Sequence, residues 1–283
     1  MVSAMEQDAK VVLLGQNVAS PHGVFGTTTE AFRRFPDRVI ECPVSEAMLS
    51  GACVGLAIEG YRPIFIHTRA DFSLFSFEHL INTAAKFNFL HGEPMPFVMR
   101  CIVGRGWGQG PVHSQSFHHM LAQIPGLDVF MPAFSSSYSF LLDYALWGKT
   151  PAVIIEPRRL YETDLQRIQG SPTVTMMGGA DITLFTYGDA VIDALEARKT
   201  LMVSGIEAYV APVEVLPLRY PLPKRYLIID MVSRRPGPNV VAPPFIPQGV
   251  SLSFEQAWYP SASDIVIAAC KMLEVSPPKV EYQ

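Results

Sequence analysis

The chain has 283 residues, 49% of them hydrophobic and 17% charged, with a formal net charge of −4. That length can bury a substantial core in one large or two smaller domains, and the 11% aromatic content with low charge excludes a disordered chain. The mild acidity gives no basic footprint for nucleic acid, and no apolar run reaches the roughly 18 residues of a membrane-spanning helix.

Strand and helix signals alternate along the first half. Residues 11–14 are a short apolar run of strand type, 28–34 read as a helix and 39–40 as the next strand. A helix is predicted over 45–59, a buried strand over 64–66, and a helix over 75–90, where apolar residues recur at helical spacing. A strand at 97–102 runs into the glycine-rich loop 104–110. A helix over 114–123, a strand over 127–131, a helix over 136–146 and a strand over 152–155 follow. The polar stretch 163–174, with Gly170 and Pro172, is the expected domain boundary. Beyond it come a strand at 182–187, a helix at 190–202, strands at 208–210 and 226–229, and a final helix over 261–275.

Strands separated by helices predict an α/β fold with a parallel sheet covered on both faces. Chemistry in such sheets lies beyond the carboxyl ends of the strands, where Glu46, Phe72 and His113 fall. The four cysteines, Cys42, Cys53, Cys101 and Cys270, lie far apart with no CxxC pair. Each is read as reduced and buried, and neither a zinc site nor a disulfide framework is expected. With no targeting segment legible, the cytoplasm is the expected compartment.

The segment Pro43-Val44-Ser45-Glu46-Ala47-Met48 places one carboxylate at the start of an uncharged helix of small residues. Ser45 is expected to cap that helix. Gly51, Ala52 and Gly55 allow another backbone to approach closely, so a deep position is expected. A carboxylate there needs a partner or a raised pKa. Taken alone, Glu46 reads first as a glutamate favoured by the helix dipole at the surface.

The surrounding segments alter that reading. Leu13-Leu14-Gly15, Gly23-Val24-Phe25, Pro-Val-Ser-Glu and Asn82-Thr83-Ala84-Ala85-Lys86 follow one another along the chain. His113-Ser114-Gln115, Ile124-Pro125-Gly126-Leu127 and Pro151-Ala152-Val153-Ile154-Ile155-Glu156 continue the series. Over roughly the first 165 residues this order resembles the beta subunit of the thiamine-diphosphate-dependent 2-oxoacid dehydrogenases, a transketolase-superfamily E1 component. The resemblance implies a pyrimidine-binding domain over 1–165 and a transketolase-type C-terminal α/β domain over 166–283. It implies that Glu46 bonds the aminopyrimidine of thiamine diphosphate and that Phe72 lies against that ring. His113 would be an acid–base group, which suits an imidazole titrating near neutrality. Gln16 stands where the family usually has a second acidic residue near the cofactor. Thr68 stands at a strand exit where larger residues are common. An ordinary core phenylalanine is the plainer reading of Phe72, and a structural histidine that of His113. His118 and His119 are read as helix-surface or interface residues, since no HExxH pattern surrounds them.

Departures from the family shape the expectations further. Only Ala4 to Ala9 precede the first strand, so the usual initial helix is expected to be cut short. Residues 217–225 and 233–249 contain prolines and no helical pattern, although a parallel crossover needs roughly a dozen residues and usually a helix. The C-terminal domain is therefore read as reduced. No Gly-Asp-Gly segment for magnesium is present; Gly188-Asp189-Ala190 lacks the last glycine. No metal ligand is assigned to this chain. The family takes its Mg2+ ligands from an alpha-type subunit in an α2β2 heterotetramer. The implied activity is decarboxylation of a 2-oxo acid and transfer of the acyl or carbanion unit to a lipoyl group, an acyl-carrier protein or another acceptor. A carboligase is a variant of that reading. A split transketolase is the rival enzyme, though that group typically has Glu-Gln-Asn where this chain has Glu46-Ala47-Met48. A non-catalytic scaffold or regulatory partner is the rival from another class.

Overall fold

A computed structural model describes residues 1–163, 165, 180–218, 221–231 and 238–278. Most of the expected boundary stretch 163–174, and part of the proline-rich segment 233–249, lie outside the described residues. The chain divides into two compact units. One comprises Met1–Val103, Met120–Phe130 and Tyr138–Glu156; the other comprises Gly104–His119, Met131–Ser137 and Pro157–Gln283.

The first unit is built on β1 (Val11–Gly15), β2 (Val39–Glu41), β3 (Arg62–His67), β4 (Val98–Val103), β5 (Asp128–Phe130) and β6 (Ala152–Pro157), in the order β2-β1-β3-β4-β6-β5. The pairs β1/β2, β1/β3, β3/β4 and β5/β6 are parallel. Strands β1, β4 and β6 are buried at every position, as near-continuous apolar runs are when both sheet faces are covered. Two charged residues interrupt that pattern as a pair. Arg100 on β4 donates to Glu156 on β6 through Nε and Nη2 at 2.5 and 2.6 Å.

Helices α1 (Val2–Gln7), α2 (Thr29–Arg34), α3 (Glu46–Ile58), α4 (Ala85–His91), α5 (His118–Leu121) and α6 (Ser135–Trp147) follow in chain order. The initial helix, α1, is short as expected, at six residues. Several others differ from expectation. The predicted helix over 75–90 is three pieces: a 3₁₀ segment Ala70–Ser76, a π-helix Glu78–Ala84, and α4. Ser73 Oγ donates to the Ala70 carbonyl at 2.6 Å, a local bond that competes with regular helix. The helix predicted over 114–123 shrinks to α5. Ser114 and Ser116 spend their hydroxyls on Trp107 and His118 instead. The Ser45 side chain makes no capping bond to α3. Nor is α3 buried all round. Leu49, Cys53, Val54 and Ala57 face β3 and the 3₁₀ and π segments, whereas Met48, Ala52 and Gly55 are exposed.

The second unit holds β7 (Ile182–Tyr187), β8 (Ala208–Pro212), β10 (Tyr226–Asp230) and β11 (Val240–Val241) in the order β11-β10-β7-β8, all parallel. A two-residue strand, β9 (Val215–Leu216), lies between β8 and β10 in sequence. Helices α7 (Ala190–Val203) and α9 (Ala262–Leu273) pack on one another over a core of Leu184, Ala194, Leu201, Val210, Ile229, Ile265 and Ala269. Ser261 and Asp264 form a capping box that starts α9. A further helix, α8 (Leu252–Trp258), was not legible in the sequence pattern. Among the described residues, the step from β8 to β10 carries no helix. No helix among the described residues is long and apolar enough to cross a membrane. Cys53, Cys101 and Cys270 are buried; Cys42 is only half-buried. Burial pushes the Cys101 thiol up to about 12.

Candidate functional site

In the first unit the carboxyl ends of β2, β1 and β3 align, with Gly15 in register with both Glu41 and Ile66. Three predicted positions follow from that edge: Gln16 after β1, Glu46 after β2, and Thr68 after β3. Gly15 lets the chains meet closely, because a Cβ there would lie 2.6 Å from the Ile66 carbonyl oxygen. The turn after it is pinned by Glu41, whose carboxylate accepts from the amides of Asn17 and Ala19 at 2.5 and 2.9 Å. Glu46 is the first residue of α3 and half-buried. The partner that such a carboxylate needs is Gln16, whose Nε2 donates to Glu46 Oε1 at 3.3 Å.

A second chain of contacts reaches Glu46 from β3. Ser76 Oγ donates to the Glu46 carbonyl at 3.3 Å and lies 3.2 Å from His67 Nε2. With the hydroxyl proton committed to Glu46, the imidazole donates from Nε2. His67 is buried, and burial lowers its pKa to about 3, so the ring is neutral. Thr68 and Phe72 are both half-buried; the Phe72 amide donates to the Arg69 carbonyl at 3.2 Å in the 3₁₀ segment. Sequence reasoning missed His67 and Ser76. The signal for His67 was a histidine ending an otherwise apolar strand.

The glycine loop and His113 belong to the second unit. Gly106, Gly108 and Gly110 have φ of +88°, +65° and +77°, conformations that favour glycine. The loop is held by Glu255 on α8, a buried residue whose two carboxylate oxygens accept from the amides of Gly106 and Gly108. Trp107 Nε1 donates to Ser114 Oγ at 3.2 Å, and the Arg158 guanidinium lies 5.1 Å from the Trp107 ring. His113 is half-buried, and its amide donates to the Gly110 carbonyl at 3.4 Å. Arg105 pairs with Asp189 at 2.9 Å and with Asp193. Asp189 is therefore a buried ion-pair partner of Arg105. Next to these, a cavity of about 310 Å³ is lined by Arg105, Arg159, Asp193, Glu255 and Tyr259.

His118 corrects the surface reading. It is fully buried, with Nδ1 2.8 Å from Ser116 Oγ and Nε2 3.0 Å from Asp230 Oδ2. His119 Nε2 lies 2.8 Å from the same oxygen. Burial pushes the Asp230 carboxyl up, but the two imidazoles outweigh it and hold it well below the usual carboxylate range.

A parallel α/β unit that brings a glutamate to the start of a helix beyond the strand ends defines a class. Residues 1–163 match the family described as transketolase, pyrimidine binding domain, and the chain belongs to it. It is of the beta-subunit type of the thiamine-diphosphate-dependent 2-oxoacid dehydrogenases. It is 29% identical to the acetoin:2,6-dichlorophenolindophenol oxidoreductase subunit beta of Cupriavidus necator, over 95% of this chain and 94% of that one. It is 32% identical to the 2-oxoisovalerate dehydrogenase subunit beta of Bacillus subtilis, over 81% of this chain and 72% of that one. The human mitochondrial pyruvate dehydrogenase E1 component subunit beta is 30% identical over 74% of this chain and 62% of its own. Among solved structures, one titled a split gene transketolase, inactive beta4 tetramer, superposes with a TM-score of 0.70 at 19% identity, covering 97% of this chain and 95% of that one. That likeness is one of fold.

Proposed function

We propose that this chain is the beta-type half of a two-chain enzyme that decarboxylates a 2-oxo acid and passes the resulting unit to a lipoyl or other acceptor. The observation that carries the reading is Glu46, held by Gln16 at the first residue of α3 beyond the carboxyl edge of the sheet. A half-buried carboxylate with a neutral partner, near a half-buried strand exit carrying Thr68 and Phe72, fits an aminopyrimidine. Thiamine diphosphate, when bound, would supply a carbon acid suited to nucleophilic chemistry on a 2-oxo acid. Glu46 would hold or release a proton toward the pyrimidine, and Gln16 would fix which carboxylate oxygen is presented. Phe72 would offer a flat apolar face. His113 would move a proton during later steps.

Nothing assigned in this chain suits the diphosphate. We therefore place the Mg2+ ligands on an alpha-type subunit, in an α2β2 heterotetramer. The exposed small-residue face of α3, with Ala52 and Gly55, supports close approach by another chain. Residues 1–165 would form the pyrimidine-binding domain and 166–283 the reduced C-terminal domain.

The test is reconstitution with the alpha-type chain and a dye acceptor such as 2,6-dichlorophenolindophenol. Dye reduction driven by a 2-oxo acid or acetoin, requiring both chains, thiamine diphosphate and Mg2+, is expected. By calorimetry, this chain alone should bind the cofactor weakly or not at all. Turnover only with a ketose phosphate and an aldose acceptor would make it a split transketolase. No turnover with either donor would leave a scaffold. Micromolar or tighter cofactor binding to the single chain would end the two-chain reading.

A further inference from the structure

Two adjacent histidines and one aspartate of the second unit converge on a point that the reaction above does not use. His118, His119 and Asp230 can each offer one ligand atom, all within 4.8 Å of one another. Both Nε2 atoms already approach a single oxygen, Asp230 Oδ2, at 3.0 and 2.8 Å. Ligand atoms bound about 2.1 Å from one ion, at right to tetrahedral angles, lie roughly 3.0–3.4 Å apart. The cluster is thus one small side-chain adjustment from a coordination shell. His118 and Asp230 are wholly buried, whereas the His119 side chain keeps 26% of its surface, which leaves an entry path and room for a water ligand.

The surroundings have the character of a metal site. Ser116 Oγ lies 2.8 Å from His118 Nδ1 and is itself buried. With an ion at Nε2 in place of the Asp230 contact, the hydroxyl accepts from Nδ1–H and holds the ligating tautomer, the usual outer support of a ligating histidine. The Tyr187 ring sits against both imidazoles, 5.4 and 5.0 Å between centroids, and restricts their rotation.

We propose that His118, His119 and Asp230 bind a divalent transition-metal ion of the zinc class. Two imidazoles and one carboxylate select such an ion over Mg2+ or Ca2+, which prefer all-oxygen shells. The ion ties the segment just after His113 to the end of β10. It is a separate site from any Mg2+ held with a diphosphate, and it stands or falls independently of the reaction assigned above.

The experiment uses the full chain, stripped with chelator and dialysed against Zn2+, with Co2+ as the spectroscopic probe. The expected result is about one ion per chain and visible Co2+ bands of a nitrogen–oxygen site. His119→Asn and Asp230→Asn abolish uptake, and Ser116→Ala weakens it about 10–100-fold. X-ray absorption at the zinc edge of the wild-type chain shows imidazole and oxygen ligands, so the proposal is decided even if a variant fails to fold. No stoichiometric uptake, uptake unchanged in folded His119→Asn and Asp230→Asn, or sulfur in the zinc shell each overturns it.

Discussion

Gln16 and Glu46, 30 positions apart in sequence, meet through an Nε2–H···Oε1 contact of 3.3 Å. The amide orients one carboxylate oxygen without adding charge. An acidic residue at position 16 would instead put two carboxylates within hydrogen-bond distance, and one would have to stay protonated. The neutral partner leaves a single carboxylate in this contact.

Replacing Glu46 with Gln keeps the size and the Gln16 contact but removes the exchangeable carboxyl proton. In the two-chain complex, hydrogen–deuterium exchange at the reactive carbon of thiamine diphosphate should slow by a factor on the order of 10² to 10⁴. The fold should be intact by circular dichroism. Exchange at the wild-type rate would remove Glu46 from the mechanism.

The buried neutral His67 gives stability a pH dependence. Its folded-state pKa is lowered by burial to about 3, against an ordinary value of 6.5. Below pH 6.5 the unfolded chain takes up a proton that the folded chain refuses. Stability from this group is therefore complete above pH 6.5 and declines with falling pH, by about 1.4 kcal/mol per pH unit until about pH 3. Urea unfolding at pH 7.5, 6 and 5 measures the slope. His67→Gln, which still donates to Ser76, should flatten it; equal slopes in the two proteins would mean the ring is charged or exposed.

Much of this was legible in the sequence because apolar strands and helices with local periodicity announce themselves. The strands 11–14, 64–66 and 182–187, and the helix at 190–202, sit where expected. The failures have common causes. The hydroxyls of Ser114 and Ser116 bond to Trp107 and His118, and the helix predicted over 114–123 shrinks to α5. Glu255 and Asp230 act on partners 147 and 111 positions away, and no local pattern reveals such pairings. Glu46 was singled out only by the series of segments around it, and Gln16 as its partner required the fold.

The Arg100–Glu156 pair is bidentate and shut from solvent, with side-chain exposures of 1% and 3%. Tyr138 Oη also donates to Glu156 at 3.1 Å. Glu156→Ala leaves a guanidinium buried without its counter-charge and should cost about 3–5 kcal/mol in denaturant unfolding. The double replacement Arg100→Met with Glu156→Leu removes both charges and should recover most of that loss. A single-variant cost below about 1 kcal/mol would show that water reaches the pair.

The glycine loop leads from Glu255 to His113. The Glu255 carboxylate accepts from the amides of Gly106 and Gly108, and the loop is packed so closely that a Cβ at Gly108 would lie 2.8 Å from the Leu252 nitrogen. Glu255→Gln offers one acceptor and one donor where two acceptors are needed, so one loop amide loses its partner. Amide hydrogen exchange at Gly106 and Gly108 should accelerate in the variant. In the two-chain enzyme, His113→Ala should leave cofactor binding and carbon-proton exchange largely unchanged while slowing acyl transfer by about 10² to 10⁴. Glu255→Gln should slow the same step by up to about 10², as misplacement of a proton-transfer group does. Single-turnover kinetics with a 2-oxo acid separate the steps. If Glu255→Gln loosened the loop without touching acyl transfer, the clamp would serve stability alone. If His113→Ala left every step at the wild-type rate, His113 would be a structural residue.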